Sequence, residues 1–257
     1  MGTATVQGQL WGARADDWAA IQEWAVRPVY EAILDELGPW HGRTLLDVGC
    51  GSGGFASLAA ACGARVAGVD AAPELIDIAE RRVASGAFRV GEMEYLPYAD
   101  SSFSVVSGVN SFPYAADPGR ALAEAARVVR PGGKVVAMLW GTADECEAAG
   151  YFAALARLLP EPVTHPFALA GPAGLTRLFE GAGIEPAERR IVTCPWYYPD
   201  LETAVRGLLS GASAVRAIGH SGEDTVAAAV GESIEPYRRH DGSYLMRNVF
   251  HYAVAAV

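Results

Sequence analysis

Three glycines in the segment DVGCGSGG (residues 47–54) have the spacing G-x-G-x-x-G, and they lie between two apolar runs: Gly49, Gly51 and Gly54. Glycine in such a turn allows positive φ and lets backbone N–H groups at a helix start approach a ligand closely. The spacing is that of the dinucleotide fingerprint, in which the turn holds a pyrophosphate. The chemistry indicated is the binding of a nucleoside cofactor.

An acidic residue supports a nucleoside ligand over a purely structural turn. Asp70 ends the next apolar run, RVAGVD, 21 residues after Gly49. A carboxylate at this distance from the glycine turn accepts hydrogen bonds from both ribose hydroxyls. We therefore expect Asp70 to bind the ribose.

The acid that precedes the first glycine bears on which nucleoside is bound. Asp47 lies two residues before Gly49. A carboxylate here places negative charge beside the site, which disfavours a pyrophosphate and favours a cationic or zwitterionic group. Alternatively, Asp47 fixes the turn through hydrogen bonds to nearby N–H groups. The sequence leaves both interpretations open.

Strands and helices alternate around this turn. Five short apolar runs are predicted as strands: 44–48, 65–70, 88–93, 103–110 and 134–140. Helices are predicted within 53–63, over 72–85 and over 116–130, the last with Asp117 as its cap and PGG at 131–133 as its stop. Buried strands that alternate with helices predict a parallel, doubly wound α/β sheet.

Two flanks complete the predicted organisation. Residues 1–43 are predicted to be helical, and they contain four tryptophans: Trp11, Trp18, Trp24 and Trp40. Beyond residue 140, helices are predicted near 144–159 and over 174–183, strands over 188–198 and 242–257, and a helical insertion over about 200–238. We expect one domain over 1–257, with 1–43 as a lid, 44–140 as the cofactor-binding core and 141–257 as the C-terminal half.

Composition limits the function classes. The net charge of −10 and the absence of a basic stripe disfavour a nucleic-acid partner, and a small-molecule substrate fits better. None of the four cysteines forms a C-x-x-C pair, and no metal-ligand spacing is present. Without a signal-peptide pattern or an apolar run of about 20 residues, we expect a cytoplasmic protein that has no membrane partner. The oligomeric state is left open.

Four motifs in order carry a family resemblance: LLDVGCGSGGFASLAA, VAGVDAAPELIDIAERR, GEMEYLPYADSSFSVVSGVNSF and EAARVVRPGGKVVAMLWG. Together they resemble the class I S-adenosylmethionine-dependent methyltransferases, in particular the small-molecule branch similar to ubiquinone/menaquinone biosynthesis methyltransferases. The resemblance is strong over about 40–140. It implies a Rossmann-like sheet of about seven strands, mostly parallel with an antiparallel last strand.

The resemblance also implies the roles of individual residues toward S-adenosyl-L-methionine, with S-adenosyl-L-homocysteine as the product. Gly49 and Gly51 would pack against the methionine moiety, and Asp70 would hold the ribose diol. Further along the chain, Ala71 would lie against the adenine, Glu92 would accept from the adenine amino group, the N–H of Met93 would donate to the ring, and Asn110 would contact the methionine end.

Methyl transfer from a sulfonium is an in-line displacement, for which the protein aligns the reacting atoms in a water-poor pocket. A hydroxyl acceptor benefits from a nearby base, and the candidates in the C-terminal half are His165 and His220. Trp11 and Trp18 are candidates for lid or substrate contacts. Aromatic residues of CPWYYPD, 194–200, could line an apolar substrate cavity or pack in the sheet.

Two other functions remain open at this point. A nicotinamide-dependent oxidoreductase matches the glycine spacing, but the chain has no evident Tyr-x-x-x-Lys constellation and contains one lysine, Lys134. The second is a homologue that binds the cofactor without transferring its methyl group.

Overall fold

The computed structural model describes residues 2–160, 166–186 and 188–257. Its centre is a seven-stranded sheet with the order β3-β2-β1-β4-β5-β7-β6. The strands are β1 (Thr44–Val48), β2 (Arg65–Asp70), β3 (Ala87–Val90), β4 (Phe103–Val109), β5 (Val129–Trp140), β6 (Glu188–Tyr198) and β7 (Tyr244–Ala256). The predicted fold class is confirmed.

Strand directions also follow the prediction. The pairs within β3-β2-β1-β4-β5 are all parallel, whereas β7 is antiparallel to both β5 and β6. The last strand in sequence therefore lies inside the sheet, next to its edge strand β6.

Side-chain alternation along the strands buries both faces of the sheet. In β5, Val136, Met138 and Trp140 contact the core on one face, and the residues between them contact the other. Helices cover the two faces of the sheet, each with a buried apolar side. These helices are α1 (Ala4–Gly12), α2 (Ala15–Asp17), α3 (Arg27–Leu37), α4 (Gly54–Ala61), α5 (Pro73–Arg82), α6 (Pro118–Arg127), α7 (Ala149–Ala156), α8 (Gly171–Gly181), α9 (Leu201–Leu209), α10 (Ala212–Ser221) and α11 (Glu223–Ile234). No helix in the described part of the chain is long and apolar enough to cross a membrane.

The predicted stop at PGG is wrong. Asp117 does cap α6, since its Oδ1 accepts from the N–H of Arg120 at 3.0 Å. The helix, however, ends at Arg127, and β5 starts at Val129 and runs through the PGG segment. Gly132 has φ +76° there, and the β4–β5 register shifts, so the segment forms an irregularity inside a strand.

Two other elements are shorter than predicted. β3 ends at Val90, which leaves residues 91–93 in a loop at the carboxyl end of the strand. The helix predicted near 144–159 covers Ala149–Ala156. Helix and strand ends are set by caps and tertiary contacts that residue periodicity does not report.

The first part of the N-terminal segment, residues 2–26, lies across the carboxyl ends of the strands, and α3 packs into the core on one face of the sheet. A π-helical turn (Trp18–Gln22) and a 3₁₀ turn (Glu23–Val26) join α2 to α3. Two ion pairs tie this segment to the helical insertion: Asp17 contacts Arg206 at 2.6 Å, and Arg14 contacts Glu223 at 2.5 Å. The segment is thereby held between the sheet and α9–α11.

A buried carboxylate anchors the same segment to the sheet. Glu23 is 2% exposed, and its Oε1 accepts from the N–H of Ser52 at 2.8 Å. Its Oε2 accepts from Ser52 Oγ at 2.5 Å and also pairs with the guanidinium of Arg82 on α5. Three donors from two residues, Ser52 and Arg82, thus satisfy one carboxylate at the start of α4.

Asp47 is buried in the sheet and does not lie against a ligand site. Its Oδ1 accepts from Ser107 Oγ on the neighbouring strand at 2.7 Å. Burial is the main cause that raises the pKa of Asp47 to about 8, with smaller contributions from Glu23 and Asp70 and an opposing one from Ser107. At neutral pH its protonated form predominates, so the interpretation of Asp47 as a negative charge beside the turn is wrong.

The raised pKa of Asp47 predicts a pH-dependent cost to stability. Its ordinary pKa is 3.8, so between about pH 4 and pH 8 the folded protein holds a proton that the unfolded chain has released. Stability is therefore lost as pH rises through this window. Asp47→Asn keeps an acceptor for Ser107 but cannot ionise. We therefore expect the difference in melting temperature, variant minus unsubstituted protein, to be more positive at pH 8 than at pH 5. An identical difference at both pH values would contradict the assignment.

Removal of the Glu23 carboxylate is expected to destabilise the chain. Glu23→Ala leaves Arg82 and the Ser52 donors without their shared acceptor. We expect this to lower the free energy of unfolding, measured with urea, by about 3 kcal/mol. Glu31→Ala is the matched control, because Glu31 pairs with Arg27 at 2.7 Å on an exposed part of α3, where an ion pair contributes little. Equal losses in the two variants would show that Glu23 does not anchor the segment.

Candidate functional site

A cavity opens where β1, β2, β4 and β5 end, between the N-terminal segment and the helical insertion. Carboxyl ends of parallel strands are where ligands bind in open α/β sheets. The residues around it fall into two groups. The polar half contains Gln7, Trp11, Trp18, Glu23, Gly49, Gly51, Asp70, Ala71, Glu92, Met93 and Asn110, and the aromatic half contains Trp140, Tyr151, Phe152, Trp196 and Leu208. All the predicted cofactor-binding residues and both predicted tryptophans therefore lie at one cavity.

The backbone N–H groups of the glycine turn already have acceptors within the protein. Gly49 donates to Val69 O at 2.7 Å, and Gly51 donates to Asp70 Oδ2 at 2.9 Å. The next N–H, that of Ser52, donates to Glu23. A pyrophosphate would need these N–H donors, but the donor at the start of α4 is already bonded to the carboxylate of Glu23. The turn is therefore not arranged to hold an anion.

The glycines are required by close approaches as well as by backbone conformation. Gly49 and Gly51 have φ +71° and +54°. A Cβ on Gly49 would lie 2.3 Å from Ser111 Cβ, and one on Gly51 would lie 2.9 Å from Glu23 Oε1. Side chains of the surrounding protein, including the N-terminal segment, therefore exclude a larger residue at both positions.

Asp70 lies at the end of β2 with its carboxylate fixed by two backbone donors. Oδ2 accepts from Gly51, and Oδ1 accepts from the N–H of Ala72 at 2.9 Å. Burial raises the pKa of Asp70, and these hydrogen bonds oppose the rise. Each oxygen keeps a lone pair, so the carboxylate can also accept from a diol in the cavity.

Glu92 and Met93 line the cavity in the loop after β3. Oε2 of Glu92 accepts from the N–H of Ala4 at 3.1 Å, which satisfies a donor at the start of α1. Oε1 has a weaker contact with the N–H of Glu94 at 3.4 Å. The residue predicted to contact adenine is therefore also bonded to the N-terminal segment, an interaction that the sequence did not predict.

Three buried polar atoms at the polar half have no hydrogen-bond partner among the described residues: Gln7 Oε1, Trp18 Nε1 and Asn110 Oδ1. Asn110 also has a positive φ of 56°, an uncommon conformation for a residue other than glycine. Leaving a buried polar group unpaired costs about 1–3 kcal/mol each. One N–H donor and two oxygen acceptors suit a zwitterion, which carries both a carboxylate and an ammonium group.

The two predicted tryptophans are neighbours, although not on one helix. Trp11 lies on α1 and Trp18 follows α2, yet their rings meet edge to face with centroids 4.7 Å apart. Trp11 also contacts the ring of Tyr114 at 5.4 Å. The turn between the helices, rather than the seven-residue spacing, brings the rings together over the cavity.

Aromatic side chains dominate the second half of the cavity. Trp140 ends β5, and its ring lies 5.4 Å from that of Trp196 on β6 and 4.5 Å from that of Phe250 on β7. Of the residues in CPWYYPD, Trp196 lines the cavity, and Tyr197 is exposed on the other side of the strand. Cys194 and Tyr198 are buried in the core, so packing accounts for part of the segment, and a substrate contact by Trp196 stays a prediction.

The histidine candidates gain no support as bases. His220 is exposed near the end of α10 and is not among the cavity residues, and His165 lies outside the described residues. Among the residues that the structure describes, no lysine, arginine or histidine lines the cavity, and no group of three or more metal-ligating side chains is found.

Sequence reasoning missed Glu23, Gln7 and Trp140. Glu23 and Gln7 belong to an N-terminal segment whose fold contacts are distant in sequence, so no local pattern marks them. Trp140 had a usable signal, because it ends a predicted parallel strand at the edge where ligands bind.

Comparisons with known proteins agree with this geometry. Residues 46–137 match the family model described as a methyltransferase domain. The malonyl-[acyl-carrier protein] O-methyltransferase of Serratia marcescens is 35% identical over 121 residues, which are 47% of this chain and 46% of the relative. The chain spans about half the length of this curated relative, and about half the length of another that it matches.

Solved structures extend the likeness over nearly the whole chain. The geranyl diphosphate C-methyltransferase of Streptomyces coelicolor A3(2), in complex with Mg²⁺, geranyl diphosphate and S-adenosyl-L-homocysteine, has a TM-score of 0.57 at 16% identity and covers 98% of this chain and 97% of that one. The [4+2]-cyclase SpnF has a TM-score of 0.60 at 21% identity, with coverages of 99% and 93%. At these identities the likeness concerns the fold.

The specific resemblance to ubiquinone and menaquinone biosynthesis enzymes stays a prediction. Residues 46–137 match the methyltransferase domain model, and the chain shares its fold with solved methyltransferase structures.

Proposed function

We propose that this protein is an S-adenosylmethionine-dependent methyltransferase that acts on a small molecule. The observation that carries the proposal is the charge and hydrogen-bonding character of the polar half. Its ionisable side chains are Glu23, Asp70 and Glu92, and the described residues place no basic side chain there. S-Adenosylmethionine has a net positive charge from its sulfonium and ammonium groups, so an acidic surrounding favours it.

The proposed cofactor contacts follow the chain along the cavity. Asp70 accepts from the ribose hydroxyls, Ala71 and the N–H of Met93 adjoin the adenine, and Glu92 accepts from the adenine amino group through an oxygen that α1 leaves free. Gly49 and Gly51 allow the methionine moiety to approach the backbone. Asn110 accepts from its ammonium group through the Oδ1 that lacks a protein partner.

The N-terminal segment is proposed to act as a lid. Trp11, Trp18 and Gln7 cover the polar half, and Trp18 Nε1 is a donor suited to a carboxylate. Exclusion of water by these side chains would favour displacement at the methyl carbon, because the sulfonium sulfur leaves as a neutral thioether and its charge is lost as the reaction proceeds.

When bound, S-adenosylmethionine supplies a methyl group activated by its sulfonium. The protein's part is to hold the acceptor atom in line with that methyl group, on the side of the aromatic half. Because the described cavity residues include no histidine, lysine or arginine, the structure offers no general base of these types, and the acceptor atom remains open among carbon, nitrogen and oxygen.

A cofactor titration tests the proposal against the oxidoreductase alternative. We expect S-adenosyl-L-homocysteine to bind in isothermal titration calorimetry and NAD(H) not to bind, because the N–H donors of the turn are already used. Asp70→Ala should weaken S-adenosyl-L-homocysteine binding by about 1–3 kcal/mol, the scale of hydrogen bonds to a charged group.

Asp77→Ala is the matched control for this titration, since Asp77 lies exposed on α5, away from the cavity. Its affinity should be unchanged. Tight NAD(H) binding without S-adenosyl-L-homocysteine binding would overturn the proposal. Normal cofactor binding with no transfer of labelled methyl to any acceptor in metabolite extracts would favour a non-methylating homologue instead.

A further inference from the structure

The aromatic half of the cavity contains unpaired hydrogen-bond donors in an otherwise apolar wall. Trp140 and Trp196 are each 5% exposed, and both line the cavity. Their Nε1 atoms have no hydrogen-bond partner among the described residues. An indole N–H has donor capacity only, so each of these groups requires an acceptor atom.

Among the described residues, the aromatic wall supplies no charged side chain, and its tyrosine hydroxyl is already bonded. Tyr151 is buried, and its hydroxyl donates to Leu208 O at 2.7 Å. Burial raises the pKa of Tyr151 and keeps the phenol neutral. Phe152 and Trp140 meet edge to face with ring centroids 5.4 Å apart. Flat aromatic walls of this kind favour a ring-bearing ligand, which can stack or meet them edge to face.

Charge in the cavity disfavours an anionic acceptor. Its described charged residues are the acids Glu23, Asp70 and Glu92, of which Glu23 is paired with Arg82, so an anionic acceptor would lose its hydration beside acids and without a protein cation to replace it. A cationic acceptor would be repelled by the sulfonium of the proposed cofactor. A ligand such as the geranyl diphosphate bound in the Streptomyces coelicolor structure therefore does not suit this wall.

We propose that the methyl acceptor is an uncharged, ring-bearing compound with at least one carbonyl, ether or hydroxyl oxygen, and that Trp140 and Trp196 bind this oxygen through their indole N–H groups. The assignment of this ligand as the acceptor rests on the proposed methyltransferase function. Its position follows from the sheet, because Trp140 ends the strand next to β4, after which Asn110 lines the polar half.

Three probes of similar size separate oxygen, charge and apolar contributions: 2-acetylnaphthalene, 2-ethylnaphthalene and the anion 2-naphthoate. Binding to the full chain is measured by calorimetry with and without S-adenosyl-L-homocysteine. We expect 2-acetylnaphthalene to bind about fivefold more tightly than 2-ethylnaphthalene, the gain from one net hydrogen bond. 2-Naphthoate should bind at least about tenfold more weakly than 2-acetylnaphthalene, because its carboxylate is desolvated beside acids.

Phenylalanine substitutions test the two indoles directly. Trp140→Phe and Trp196→Phe keep an aromatic ring and remove the N–H, so each should weaken 2-acetylnaphthalene binding about three- to tenfold and leave 2-ethylnaphthalene within about twofold. Trp24→Phe is the matched control, since Trp24 does not line the cavity. An equal loss for both probes would mean that the indoles only pack, and it would overturn their assigned role.

The probe ranking on the unsubstituted protein keeps the proposal falsifiable if a variant does not fold. Tightest binding by 2-naphthoate, or no preference for the ketone over the hydrocarbon, would overturn the ligand class. If S-adenosyl-L-homocysteine binds and the ranking fails, the ligand class alone is wrong. If the ranking holds and S-adenosyl-L-homocysteine does not bind, the methyltransferase function is wrong, while the ligand class stands.

Discussion

The carboxylate of Glu23 is the interaction on which the cavity depends. It lies at the start of α4, where a dinucleotide enzyme of this sheet type would place a phosphate, and it is held there by Ser52 and Arg82. This one buried carboxylate thus holds the N-terminal segment over the strand ends. It also occupies the position where an anionic ligand would otherwise bind. The same position of the segment brings Gln7, Trp11 and Trp18 to the cavity.

The cavity combines two environments that would conflict in a single pocket. Acids and unpaired polar atoms surround the strand ends of β1, β2 and β4, while aromatic rings surround the end of β5. In the proposed function, the positively charged cofactor would contact the polar half and the uncharged acceptor the aromatic half, so that the reacting atoms would meet at the boundary between the two. This division arises from the residues that the strand ends and the elements beside them contribute to the cavity.

Local sequence patterns predicted the parts of the fold that local physics determines. The strands from 44 to 110 follow from apolar runs, and the glycine turn follows from backbone conformations that few other residues adopt. Contacts between distant segments were not predictable. Examples are the hydrogen bonds from the N–H of Ser52 to Glu23 and from the N–H of Ala4 to Glu92. The protonation of Asp47 was not predictable for a related reason, since it depends on burial in the tertiary structure. The PGG segment looked like a helix stop, but pairing with a neighbouring strand decided its structure.

The position of β7 between β5 and β6 gives the two halves of the cavity different folding requirements. The strand-end part of the polar half is built on strands that are close in sequence, so its contacts close short loops, such as the 19-residue separation between Gly51 and Asp70, whereas its N-terminal side chains reach it over longer separations. The aromatic half needs Trp140 to meet Trp196 and Phe250 across most of the C-terminal half of the chain, which are contacts of high contact order. Such contacts form slowly because a long loop must close before they contribute any stability. We therefore expect the strand ends of the polar half to assemble before the aromatic half during folding.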